Sequence, residues 1–339
     1  MLHQIFYWVL NMSLVAALFG LLLMGLRLVR GIPKFAVYVL WGTVLLRLLC
    51  PVGISSQYSL LSLIDRAVDH SFVRTIILSE GETFTYSNVM KTVTDYNPIT
   101  YKTTVLEGFY KIGSVVWIMG TIILLLIVFL WYLRAKKELS TALPMRDQYY
   151  MKQSSRVNYT SYMNRNSHIY KNSYLTKTDN IYVSAMVSTP TVYGLFRPKI
   201  VLPQNMEEIY IPYVLDHEYV HIRRRDNLWR LLGIIAACIH WFNPLVWIFL
   251  QCLTKDCELA CDEKIVKDLS KMERKRYAEA LFIYGTGDQS LLASAFGSSL
   301  IKIRIQKVLT YKRLSILSTI MFVGMSMFIA YLLLTNGVS

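Results

Sequence analysis

Four stretches of this chain are long and apolar enough to cross a bilayer, and a fifth of similar length has to do something else. Ile5 to Leu26, Phe35 to Val52, Val115 to Leu133 and Leu314 to Leu334 carry one charge between them, Arg47. A bilayer core needs about 20 apolar residues in a helix, because only internal hydrogen bonding satisfies the backbone there. At 339 residues, 54% hydrophobic and mean hydropathy +0.37, the composition excludes an ordinary soluble protein. The first stretch has no basic leader and no small-residue cleavage site, so it reads as an uncleaved anchor. Arg47, near the outer end of the second, is expected to snorkel or meet the external loop.

Basic residues set the orientation. Arg27, Arg30 and Lys34 flank the first short loop, Arg134, Lys136 and Lys137 follow the third span, and Lys302, Arg304, Lys307, Lys312 and Arg313 precede the fourth. The positive-inside rule puts these ends in the cytoplasm and both termini outside. The slightly acidic loop 53–108 is then external. Net charge +14 follows from this asymmetry and from attraction to membrane lipid; direct nucleic-acid binding is not expected. The five cysteines all lie outside that loop, which speaks against a disulfide framework and for reduced, packed thiols.

Between spans three and four lies His217-Glu218-Tyr219-Val220-His221. Positions i and i+4 share one helix face, so His217 and His221 can hold one zinc ion (Zn2+), with Glu218 placed to act as general base. A peptidase zinc wants three protein ligands. Glu258, in Glu258-Leu259-Ala260-Cys261-Asp262, is the candidate third, and Asp262 a candidate acceptor for a ligand histidine's N–H. Upstream, Ile181-Tyr182-Val183 and Lys199-Ile200-Val201-Leu202 read as strands separated by turn signals at Thr189-Pro190 and Gly194. The strand before the zinc helix is either the edge on which an extended substrate adds or part of a plain hairpin.

The fifth apolar stretch, Leu228 to Leu253, separates His221 from Glu258. A crossing there would put the two halves of the site on opposite faces of the membrane. Asn243-Pro244 offers the alternative, an N-cap followed by a first-turn proline. One helix from Pro212 to about His240, a turn at Trp241-Phe242-Asn243, and a second helix from Pro244 to about Lys267 would return Glu258 to the histidines. The apolar arms would form a re-entrant or interfacial hairpin over 228–253. Arg223, Arg224 and Arg225 are expected to meet lipid headgroups or carboxylates, with Asp226 pairing one of them. His240 reads as a helix-end histidine.

In this order, the His217 pentapeptide, Arg225-Asp226-Asn227-Leu228, His240-Trp241-Phe242-Asn243-Pro244 and the Glu258 segment resemble the BlaR/MecR family of membrane metallopeptidases. The resemblance extends upstream to Tyr193-Gly194-Leu195-Phe196-Arg197-Pro198. It implies an α-helical polytopic protein of the bacterial cytoplasmic membrane, with four transmembrane helices and a cytoplasmic α+β gluzincin-like domain. It also implies His217, His221 and Glu258 as zinc ligands, Glu218 as base, self-cleavage ahead of the last span, and cleavage of a winged-helix repressor. The expected organisation is spans one and two in 1–52, an external loop 53–108, span three in 109–134, the peptidase domain in 135–290, a linker 291–313 and span four in 314–335. The candidate self-cleavage region is Ser294, Ala295, Phe296 and Gly297, in a small, uncharged segment read as a flexible loop. Sensor members of the family carry a penicillin-binding domain after the fourth span. The sequence here ends at Ser339 with no S-x-x-K motif in an external segment, so the expectation is that either a sensor domain was removed, or a separate sensor protein at the external face or the loop itself brings the signal. A second copy of the chain is a further candidate partner. Two other readings are a non-catalytic receptor whose external loop binds a partner, and a prenyl-protein or intramembrane peptidase.

Overall fold

The computed structural model describes residues 2–28, 32–50, 54–55, 74–77, 83–86, 107–144, 180–285, 291–312 and 316–336. Most of the loop 53–108 and of the polar stretch 138–180 therefore lies outside the described residues. The helices are α1 (Leu2–Arg27), α2 (Lys34–Leu49), α3 (Glu107–Leu139), α4 (Ile211–Arg224), α5 (Asp226–Ile239), α6 (Pro244–Val266), α7 (Lys271–Tyr284), α8 (Leu291–Leu309) and α9 (Ile316–Leu334). The strands are β1 (Ile54–Ser55), β2 (Arg74–Ile77), β3 (Thr83–Tyr86), β4 (Leu143–Pro144), β5 (Ile181–Ser184), β6 (Thr191–Tyr193), β7 (Lys199–Pro203) and β8 (Thr335–Asn336). They belong to two compact units, one of residues 1–127, 232–254 and 314–339 and the other of 128–231 and 255–313.

The first unit is apolar and helical. Among the described residues, Ile5–Arg27 and Gly108–Leu139 are long and apolar enough to cross a membrane. α2 has only 16 residues, about 24 Å at 1.5 Å per residue against a hydrocarbon core of about 30 Å. α3 leaves Phe109, Ile112, Val115, Val116, Met119, Ile122 and Ile123 exposed, a surface suited to lipid. The tip of the α5–α6 hairpin packs within this unit. Its turn is held by polar bonds: the Trp117 indole donates to the Ile239 carbonyl at 2.8 Å, and His240 Nε2 donates to the Leu48 carbonyl at 2.9 Å. The Asn243 side chain caps α6, accepting from the Leu245 N–H at 3.0 Å, and its amide donates to Ser13 Oγ at 2.8 Å. A turn between apolar helices is tolerable because its backbone groups find such partners. Gly20 makes room for Phe249, whose ring would lie 2.2 Å from an added Cβ. Of the two expectations for Arg47, snorkelling is overturned: it is 2% exposed, with its guanidinium 5.8 Å from the centre of the Phe19 ring, while contact with the external loop falls mostly outside the described residues.

The second unit pairs a small sheet with helices. Its strand order is β4-β5-β7-β6, with β5 and β7 parallel and the outer pairs antiparallel. β7 is thus an inner strand, and the edge on its side is β6, a strand within the span read from sequence as turn. Three-residue strands carry little periodic signal, and flanking Pro190 and Gly194 hide this one. Ile200, Leu202, Tyr213, Val214, Ile265, Tyr277, Leu281 and Val308 form the core under the sheet.

Two further expectations need correction. The helix foreseen from Pro212 to His240 is two helices, because Arg225 takes a left-handed conformation (φ 56°, ψ 40°) and its N–H caps the His221 and Ile222 carbonyls. The segment Ser294-Ala295-Phe296-Gly297, read as a flexible loop, lies inside helix α8. Its leucines and alanines are good helix formers, and that outweighs the glycine and serines. A left-handed non-glycine residue costs about 1–2 kcal/mol. Arg225→Gly should therefore raise the unfolding temperature in detergent, by about 1 kcal/mol of stability, and Arg225→Val should lower it. Equal melting of the two variants would contradict the strained turn.

Candidate metal centre

Helix α4 begins with Pro212, which pre-sets its first turn, and ends with basic residues that complement its dipole. It buries His217, Glu218 and His221 on one face. The Nε2 atoms of the two histidines lie 3.1 Å apart. Glu258, from α6, brings Oε2 to 3.2 Å from His217 Nε2 and Oε1 to 3.6 Å from His221 Nε2. Zinc bonds of about 2.0–2.1 Å in tetrahedral geometry put ligand atoms about 3.3 Å apart. The two Nε2 atoms are thus already at ligand-to-ligand spacing, and each has one oxygen of the Glu258 carboxylate at a similar distance. Cys261 offers a fourth donor: its sulfur and the two histidines have ligand atoms within 4.8 Å of one another. These nitrogen, oxygen and sulfur donors suit zinc.

The outward nitrogens are held too. His221 Nδ1–H donates to Asp226 Oδ2 at 2.6 Å, and Arg224 Nε donates to the same oxygen at 3.1 Å. Asp226 is fully buried, which opposes its charge, yet the bonds from His221 and Arg224 prevail and bring its pKa down to about 2. His217 Nδ1–H donates to the Tyr277 hydroxyl at 2.9 Å, which in turn donates to Asp262 Oδ1 at 2.6 Å. Burial and the neighbouring Asp262 push Tyr277 well above the usual phenol range, so that hydroxyl stays a donor. In its neutral form each histidine thus turns its Nε2 lone pair to the centre. Burial disfavours a protonated His217, but the Cys261 sulfur and the Glu258 carboxylate outweigh it and lift its pKa to about 9. Burial likewise opposes the charge of Glu258, which His221 and Arg304 nevertheless hold well below the carboxylate range.

Asp262 was expected to accept a histidine N–H directly. It lies 3.5 Å from His217 Nδ1, with the Tyr277 hydroxyl as the closer partner. The carboxylate that accepts a histidine Nδ1–H directly is that of Asp226, from His221, where it was expected only to pair an arginine. Three more residues escaped the sequence reading. Tyr277 had no motif to mark it, Arg230 read as an interruption of an apolar run, and Arg304 read as one of the basic residues before span four. Arg230 Nη2 bonds Glu258 Oε1, and Arg304 reaches Glu258 Oε2 at 3.2 Å and Asp262 at 2.7 and 2.8 Å. The only sequence hint for Arg304 is its place among Ile301, Ile303 and Ile305, where a solvated charge is out of keeping. Cys257 and Cys261 are buried free thiols.

A mainly helical membrane protein with a buried two-histidine, one-carboxylate cluster and a carboxylate beside it has the parts of a metal-dependent hydrolase. The chain belongs to the BlaR1 peptidase M56 family, whose profile matches residues 7–309. It is 33% identical over 105 residues to the methicillin resistance mecR1 protein of Staphylococcus aureus, covering 30% of this chain and 18% of that protein. It is 32% identical over 141 residues to the regulatory protein BlaR1 of Bacillus licheniformis, covering 39% of this chain and 24% of that protein. The chain thus aligns with less than a quarter of the length of these curated relatives.

Asp226→Asn should weaken zinc binding about 10- to 100-fold, because an amide neither selects the His221 tautomer nor carries the balancing charge. Competition with a chromophoric chelator would measure it, and unchanged affinity would remove Asp226 from the centre. Protons and metal compete for the same lone pairs, so zinc uptake should release protons. Apparent affinity should then rise with pH up to about 9, where His217 loses its proton. A pH-independent constant from pH 6 to 9 would argue against histidine ligation.

Proposed function

We propose that this chain is an integral-membrane zinc endopeptidase of antibiotic or cell-wall stress signalling. In this reading it is activated by self-cleavage and promotes cleavage of a cytoplasmic winged-helix transcriptional repressor. The observation that carries it is the spacing of 3.1, 3.2 and 3.6 Å among His217 Nε2, His221 Nε2 and Glu258, with Glu218 on the same helix. His217, His221 and Glu258 would hold zinc. When bound, zinc would supply positive charge to polarise the scissile carbonyl and acidify a water. Glu218 would take a proton from that water and return it to the leaving amine. It is buried and has no hydrogen bond or ion pair to another described residue, which fits a carboxylate kept available for proton transfer. A structural zinc site needs no such neighbour.

The wider organisation belongs to the same proposal. Four spans would place both termini outside and a gluzincin-like domain of 135–290 in the cytoplasm. Its support is the clustering of lysine and arginine on the ends assigned inside and the two described helices, at the first and third assigned spans, that are long and apolar enough to cross a membrane. The hairpin of 228–253 would sit at the membrane. A separate sensor or the loop 53–108 would bring the signal from outside. Self-cleavage near Ser294 to Gly297 would require α8 to unwind first, because peptidases bind their substrates extended.

The test is the full chain in membranes with a tag at each end, beside Glu218→Gln, with and without a β-lactam. Wild type should give a fragment boundary near residues 290–300, and Glu218→Gln should slow this at least about 100-fold while retaining zinc. The same fragments from both chains would sink the assignment. So would a zinc-loaded wild type that stays intact under every condition, which would favour a non-catalytic receptor.

A further inference from the structure

Helix α6 presents two buried carboxylates one turn apart, Glu258 and Asp262, and a single guanidinium from α8 bridges them. Arg304 is 7% exposed. Its Nε and Nη2 donate to Asp262 Oδ2 and Oδ1 at 2.7 and 2.8 Å, and its Nη1 lies 3.2 Å from Glu258 Oε2. We propose that Arg304 is a positioning residue of the metal centre, setting the orientation of Glu258 directly and the tautomer of His217 through Asp262 and Tyr277. This deepens the zinc-peptidase reading and rests on it.

Arg304 holds Glu258 Oε2 and both oxygens of Asp262 in one planar fork, so the two carboxylates are fixed relative to each other. Arg230 serves only the other oxygen of Glu258 and does not reach Asp262. Without Arg304, the Glu258 carboxylate loses the bond that fixes Oε2 beside His217 and is free to turn away from the histidines. Asp262, by accepting from the Tyr277 hydroxyl, also makes that hydroxyl point away from His217, accept from its Nδ1–H and leave Nε2 facing the centre. Arg304 Nη2 lies 3.2 Å from that Nε2 as well, but its shorter bond is to Asp262. It therefore keeps a strong partner when a metal takes the lone pair. A lysine would bring the charge but not the planar fork that spans three oxygens.

The placement on α8 has a consequence for regulation. A cut within Ser294 to Gly297 would leave all three zinc ligands on one fragment and Arg304 on the other. The link between them, intramolecular in the intact chain, would then depend on α8 staying docked through Val308 and Ile305 in the core. Self-cleavage at that place would shorten the lifetime of the loaded centre.

The experiment uses the full chain in detergent micelles in a Glu218→Gln background, so that it stays uncut, with zinc affinity read by chelator competition. Arg304→Met should bind about 10- to 100-fold more weakly, and Arg304→Lys should recover part of the loss. Tyr277→Phe, which keeps the ring but removes the relay, should also weaken binding while leaving the metal-free unfolding temperature close to that of the parent. Parental affinity in both Arg304→Lys and Tyr277→Phe would overturn the proposal even if Arg304→Met failed to fold, and tighter binding by Arg304→Met would overturn it as well. A parent that binds no zinc, or that binds it equally after His217→Ala, would instead bring down the peptidase reading beneath it.

Discussion

The second unit is organised by the need to match buried carboxylates with partners. Glu258, Asp262 and Asp226 all lie out of solvent or nearly so, where an unpaired charge costs several kcal/mol. Arg230 and Arg304 share Glu258, Arg304 forks onto Asp262, and Arg224 joins His221 on Asp226. These cations come from α4, α5 and α8, so the charge balance ties together helices distant in the chain. Removing one partner leaves an uncompensated group behind, and for this reason the cluster is expected to respond as a unit.

The break at Arg225 is part of that balance. On a continuous helix, Asp226 would lie five residues after His221, about 140° round the axis and out of its reach. The left-handed residue ends α4 and starts α5 at Asp226, which turns the carboxylate back onto His221 Nδ1. Local backbone strain is thus offset by a charge-assisted bond that orients His221. The hairpin beyond it solves a different problem. Its apolar arms could span a bilayer as one rod, but the Asn243 cap and the bonds at Trp117 and Leu48 hold a turn that brings Glu258 back.

Much of the site was legible because its spacing is local. Two histidines four apart with a glutamate between them, and two acids four apart downstream, announce a helix face each. Asn243-Pro244 announces where the long apolar stretch must turn. The residues that were not legible act across distance. Tyr277 and Arg304 are 60 and 87 positions from His217, and nothing in their neighbourhood marks a contact with it. The short edge strand β6 was missed because weak local propensity there defers to context, and the helical state of Ser294 to Gly297 because its glycine and serines masked the helix formers around them.

By itself the sequence determined the membrane character, the chemistry of the donor set and the order of its parts, because each follows from composition or from a period of a few residues. The tertiary structure alone decided which carboxylate meets which histidine, that a tyrosine stands between His217 and Asp262, and that an arginine from α8 holds Glu258. Those choices depend on distances of a few ångströms between segments far apart in the chain. The energies involved come from desolvation and charge pairing, which a linear sequence does not carry.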